Sequence, residues 1–218
     1  VAHTIGAGMI DIRIVTPQVI FAALLGAIGW NLFTWILGLP TSSSHALIGG
    51  YAGAAILKAG PGVIIAHGWV KTVMFIFIAP ILGLVLGVVF ITVTTWIVHR
   101  KNPARINRAA RRLQLLSAAL YSLGHGGNDA QKTMGIIAGA MFTGGIITQE
   151  QMQADWGPYK WPIILSAHLA IALGTYFGGW RIVHTMGSKI TKLKPVGGFC
   201  AETAGAITLF GTALAGIP

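Results

Sequence analysis

The chain has 218 residues, of which 54% are hydrophobic and 9% charged, with a formal net charge of +10. A water-soluble domain carries roughly 25% charged residues, so this composition and a mean hydropathy of +0.73 exclude an ordinary soluble fold. The single Cys200 excludes an internal disulfide framework or a Cys-cluster metal site.

The excess positive charge does not read as a nucleic-acid surface. Basic residues gather in short stretches between apolar segments, the positive-inside pattern of a polytopic membrane protein. Seven Trp suit interfacial anchoring, and 30 Gly suit close packing of membrane helices. The start, Val1-Ala2-His3-Thr4, lacks a basic n-region and a cleavage site, so the chain is expected to begin mid-protein.

A spanning helix takes about 20 mostly apolar residues. The first candidate, 17–39, is uncharged. Pro40, Thr41, Ser42, Ser43, Ser44 and His45 follow, and then a second apolar stretch, 46–57, of about twelve residues, short for a span and suited to a re-entrant hairpin. Segment 70–98 is a long, nearly uninterrupted apolar run. Residues 99–112 read as a basic loop, with Arg100, Lys101, Arg105, Arg108, Arg111 and Arg112 against no acid. Segment 113–147 is apolar but interrupted by Gly124, His125, Gly126, Gly127, Asn128, Asp129, Ala130, Gln131 and Lys132. A mixed loop, 148–160, a span, 161–180, a basic stretch, 181–194, and a final apolar stretch, 196–217, complete the chain. Loops 99–112 and 181–194 are expected in the cytoplasm, and 59–69 and 148–160 outside.

Two interruptions carry the chemistry. Pro40 stops a helix, and the hydroxyls after it favour a new helix start near Ser43 or Ser44. Free N–H groups and hydroxyls there suit an anion, although an ordinary interfacial turn capped by its own serines fits equally well. In the second interruption the glycines loosen the backbone beside a charged pair. Asp129 and Lys132, at i,i+3, either neutralise each other in a kink or belong to a broken helix offering carboxylate, amide and carbonyl ligands to a solute and a cation. Glu202 is a lone acid in the last apolar stretch. Arg181 reads as an anchor and His168 as a satisfied packing residue. A faint repeat links Gly38-Leu39-Pro40 to Gly216-Ile217-Pro218.

With both interruptions in view, the chain resembles the inorganic phosphate transporter (PiT) family. The resemblance rests on Gly38-Leu39-Pro40-Thr41-Ser42-Ser43-Ser44-His45-Ala46-Leu47-Ile48-Gly49 and on His125-Gly126-Gly127-Asn128-Asp129-Ala130-Gln131-Lys132-Thr133-Met134-Gly135. Supporting stretches are Leu113-Gln114-Leu115-Leu116-Ser117, Gly178-Gly179-Trp180-Arg181 and Gly197-Gly198-Phe199-Cys200-Ala201-Glu202-Thr203. It implies an all-α polytopic membrane protein: an inverted-repeat secondary transporter with broken helices and re-entrant hairpins. Residues 1–98 would be the C-terminal part of the first repeat, 99–112 a cytoplasmic linker, and 113–218 the N-terminal part of the second, with a twin of each motif outside this chain.

The resemblance further implies a substrate site of Thr41, Ser42, Ser43, Ser44, Asn128, Asp129 and Gln131, with His45 and Lys132 as accessories. Cation coupling falls to Asn128, Asp129 and Glu202, with Asn128 and Asp129 as sodium ligands if sodium is the driver. The coupling cation is sodium or a proton, and no further cofactor or enzymatic activity is expected. Expected partners are inorganic phosphate, that cation, the lipid bilayer of a plasma or inner membrane and, as an open option, a second copy of the chain; nucleic acid is not expected. A same-fold carrier of sulfate or another oxyanion, a passive channel or receptor, and an intramembrane hydrolase using a Ser and His125 are the alternatives.

Overall fold

The computed structural model describes residues 8–191 and 194–215. Residues 1–4 and Gly216-Ile217-Pro218, on which the truncated start and the repeat hint rest, lie outside the described residues. Among the described residues the regular structure is helical, apart from one isolated antiparallel bridge between Ile10 and Ile64.

Helix α1, Pro17–Leu37, opens with a proline at its first position, where no N–H is needed. It stops because Gly38 adopts the left-handed conformation (φ +67°) and the Leu39 N–H reaches back to the Thr34 carbonyl at 2.8 Å. After Pro40, the Ser42 hydroxyl caps α2, Ser43–Ala59, by accepting the His45 N–H at 3.2 Å. The expected helix start is therefore where the serines put it. The arm is 17 residues, longer than the twelve expected from apolarity alone. The two arms cross so closely that a Cβ at Gly50 would lie 2.6 Å from the Ala23 carbonyl oxygen. Lys58 at the far end donates to Thr16 at 3.0 Å, closing the hairpin. Around its base Met9, Ile10, Val19, Ile20, Tyr51 and Ala55 form a buried cluster.

Helix α3, Ala66–Val98, carries Pro80 in its interior. Helix α4, Pro103–Thr143, corrects two expectations. The basic stretch 99–112 is a loop only as far as Asn102, whose side chain accepts the Ala104 N–H at 2.9 Å and so starts the helix. From Pro103 onward, Ala and Arg are good helix formers and continue it. Nor does the glycine motif break α4: the helix runs unbroken through 124–132. Three glycines cost a helix about 3 kcal/mol relative to alanine. Leu209 Cβ lies 3.3 Å from where a Cβ at Gly124 would be, and Ala130 and Met134 pack on Ile163 and Ala167.

Helix α5, Gln149–Gln153, is a single turn within the expected 148–160 loop, held by a Thr148–Gln151 capping box. Helix α6, Lys160–Gly178, leads to α7, Trp180–His184, and a π-helical turn, Thr185–Ile190, so the described part of 181–194 is largely helical rather than loop. Helix α8 spans Pro195–Leu214. Segments Pro17–Leu37, Ala66–Val98 and Gly157–Gly178 are long and apolar enough to cross a membrane.

Helices α4 and α8 run parallel, since Ser117 meets Glu202 and Gly124 meets Leu209. Helix α3 runs antiparallel to α8, with Thr94 against Cys200 near one end. At the hairpin tip, the Trp35 indole donates to the Gly178 carbonyl at 2.6 Å. Arg181 donates to the Ile36 carbonyl at 3.2 Å and stacks on the Trp35 ring. The anchor expected at Arg181 is thus a cation at the C-terminus of α1, where carbonyls need donors. His168 bonds the Ile164 carbonyl of its own helix at 2.8 Å but its ring is exposed, so it is satisfied without being packed.

Candidate functional site

The tip of the hairpin and the middle of α4 meet across a cavity of about 370 Å³. Asp129 stands about 26 Å along the helix axis from Arg112 and about 21 Å from Thr143, at 1.5 Å per residue. From opposite sides of a gap of 85 residues in sequence, Ser44 Oγ donates to Asp129 Oδ1 at 3.2 Å. Lys132 Nζ donates to the same Oδ1 at 2.8 Å and to Ser44 Oγ at 2.6 Å. Three side chains from two helices thus close one polar ring. The Asp129 and Lys132 side chains are 17% and 13% exposed, so the ion pair is largely desolvated but open to the cavity.

His125, one turn earlier on α4, places Nε2 3.2 Å from Asp129 Oδ2 and stacks on Tyr121. It is 56% exposed. The i,i+4 spacing of His125 and Asp129 is visible in the sequence, yet the histidine was not among the expected transport ligands. As for hydrolysis, a triad needs the serine bonded to the histidine. Here Ser44 bonds the carboxylate and the lysine instead, which removes the geometric basis for that alternative.

Thr41, Ser42, Ser43 and His45 also line the cavity, as does Asn128. The Thr41 hydroxyl donates to the Thr34 hydroxyl at 3.0 Å, and Asn128 Nδ2 donates to the Leu209 carbonyl at 3.3 Å, which leaves the Asn128 amide oxygen as an acceptor. Gln131 is partly buried and is not part of the cavity wall. Glu202 is separate too. It accepts Ser117 Oγ at 2.7 Å and Gln114 Nε2 at 3.5 Å in the α4–α8 seam. Ser117 is eight residues before His125 on α4, about 12 Å along the axis.

The sequence reading missed polar and proline wall residues from two further helices. Thr208 and Thr212 come from α8, Thr72 and Pro80 from α3. Each threonine hydroxyl donates to a carbonyl of its own helix, which leaves its lone pairs as acceptors. Pro80 has no N–H, so the Ile76 carbonyl loses its usual helical donor, and both residues line the cavity. The helix irregularity expected at the glycine motif is therefore found in α3 instead, at Pro80. A proline within an apolar run was the available signal.

The sequence profile of the phosphate transporter family matches residues 1–218. The chain belongs to the phosphate transporter family. A curated member from Rhizobium meliloti, a probable low-affinity inorganic phosphate transporter, is 55% identical over the whole chain, which covers 64% of that relative. A Bacillus subtilis protein of the same description is 42% identical over 92% of the chain and 58% of its own length. The chain thus spans roughly three-fifths of these two relatives. A solved structure titled the sodium-dependent phosphate transporter superposes with a TM-score of 0.82 at 21% identity, covering all of this chain and 71% of that one. At that identity the likeness speaks for the fold. This family member is an integral membrane protein, and its family is one of transporters rather than enzymes.

Proposed function

We propose that this protein carries inorganic phosphate across a membrane in symport with sodium or a proton. The observation that carries the reading is the Ser44–Asp129–Lys132 ring, which joins the two motifs at one cavity. The descriptions of the curated relatives support phosphate as the substrate.

The charges explain why a cation would travel with the anion. Asp129 and Lys132 pair off, so neither is spare to balance an incoming anion. A phosphate mono- or dianion entering the cavity brings uncompensated charge into a low-dielectric space, which is costly. Phosphate oxygens can compete for Lys132, for the hydroxyls of Ser43 and Ser44, and for the unbonded N–H groups at the start of α2. Drawing Lys132 towards the anion frees Asp129. A sodium ion or proton can then take its place, with the Asn128 oxygen and the Ile76 carbonyl completing a sodium shell of hard oxygen ligands. Asp129 can also accept from a phosphate P–OH, which sulfate lacks. Glu202, with neutral partners alone, is a second place for the coupling cation.

In this reading residues 1–98 and 113–218 belong to two inverted repeats, α1 and α2 form a re-entrant hairpin, and alternating access rocks the repeats about the cavity. The basic stretches 99–112 and 181–194 face the cytoplasm of a cell bounded by the plasma or inner membrane that holds the protein. The test is uptake of labelled phosphate by the full-length protein in proteoliposomes, with sodium and proton gradients imposed separately. Uptake driven by one gradient and resistant to excess sulfate is expected. Uptake indifferent to both gradients, or equally blocked by sulfate, overturns the reading.

A further inference from the structure

A second hollow, of about 610 Å³, lies where α3 ends and α4 and α8 begin. Arg100, Lys101 and Arg105 line it on one side, and Val98, Leu113 and Phe199 on another. None of those three cations has a carboxylate partner among the described residues. The chain has five acids, and each is engaged or placed elsewhere. Asp11 pairs with Arg13, whose hydrogen bonds hold its carboxyl below the usual range. Asp129 pairs with Lys132, Asp155 lies 3.7 Å from Lys160, Glu202 takes Ser117, and Glu150 sits in the first turn of α5.

Trp96, 75% exposed one turn before this hollow, is a side chain suited to the headgroup level of a bilayer. The positive-inside rule asks for cations at this depth, but not for a three-helix hollow with an apolar wall beneath them. We infer that this hollow binds an anionic diacyl phospholipid, the guanidinium and ammonium groups of Arg100, Lys101 and Arg105 holding its phosphate and an acyl chain lying along Val98, Leu113 and Phe199. Arginine matches phosphate oxygens bidentately, and basic pockets between helix ends at the cytoplasmic face are suited to such headgroups. A free phosphate ion would use the cations but leave the apolar wall bare. The inference does not depend on what the transport cavity carries.

The experiment is native mass spectrometry of the full-length protein released from mixed phosphatidylglycerol and phosphatidylcholine nanodiscs. Retention of one phosphatidylglycerol in preference to phosphatidylcholine is expected. Removing the three cations together (R100Q, K101Q, R105Q) lowers the retained fraction at least roughly tenfold. Arg108→Gln with Arg112→Gln removes two charges outside the hollow and leaves retention unchanged. Where the triple variant does not fold, Arg105→Gln alone carries the test, with a loss of about threefold. Equal retention of both lipids, no loss on removing the lining cations, an equal loss in the outside pair, or displacement by millimolar inorganic phosphate each overturns the assignment.

Discussion

Helices α4 and α8 bring two acids into the apolar body and treat them differently. Asp129 opens onto a cavity and is paired with Lys132 at 2.8 Å, with Ser44 supplied from the distant hairpin. Glu202 sits in a tight seam and is met by the Ser117 hydroxyl and the Gln114 amide, both neutral. The seam is close because its partners are glycines: a Cβ at Gly205 would come within 2.6 Å of the Tyr121 ring, and one at Gly198 would collide with Gln114. A carboxylate with a cationic partner beside open space can exchange that partner for a ligand. A carboxylate met only by neutral donors in a packed seam has no cationic partner to exchange.

Substitutions separate the two. Asp129→Asn removes the carboxylate that the cavity charge depends on. Gradient-driven phosphate uptake should fall roughly a hundredfold, as for loss of a charged interaction worth about 3 kcal/mol; near-normal uptake would end the role given to it. Lys132→Gln strands the Asp129 charge, and a loss of about 3 kcal/mol of stability is expected. The double change with Asp129→Asn should recover most of that loss in a thermal melt; no recovery would show that the two residues do not act as a pair. Glu202→Gln keeps the side chain's length and an acceptor oxygen. If the seam holds a coupling cation, half-saturation by that cation rises about tenfold while half-saturation by phosphate barely moves. Equal shifts in both would merge the two regions into one. The smallest effect belongs to Ser44→Ala. Losing one hydroxyl of the ring should raise phosphate half-saturation about fivefold, near 1 kcal/mol, and an unchanged value would make Ser44 a bystander.

The parts of the structure set by neighbours in sequence were legible in advance. Pro40 and the serines after it argue for a stop and a new start near Ser43 or Ser44, and the structure has both, although the stop comes at Gly38, inside the span expected to reach 39. The apolar runs foretold α3 and α6 to within a few residues. What depended on distant partners was not legible. The glycines at 124, 126 and 127 argue locally for a break, but α4 runs through them, with α8 against Gly124 and α6 against Ala130 and Met134. Thr72, Thr208 and Thr212 are unremarkable in their own helices and reach the cavity only through helix packing. Gln131 shares a motif with Asp129, but one helical motif points around the whole circumference, and Gln131 falls off the cavity wall. The pairing of Glu202 with Ser117, 85 residues away, had no local sign.

The continuity of α4 has a mechanical consequence. Its 41 residues form a rod about 62 Å long, twice the thickness of a bilayer's apolar core. Asp129 and the arginine-rich end ride on the same stiff shaft, with no joint between them. A pivot of about 10° near the middle would sweep either tip through about 5 Å, so leverage applied at one end reaches the other without relays of side chains. Had the glycines cut the shaft, each end would swing alone.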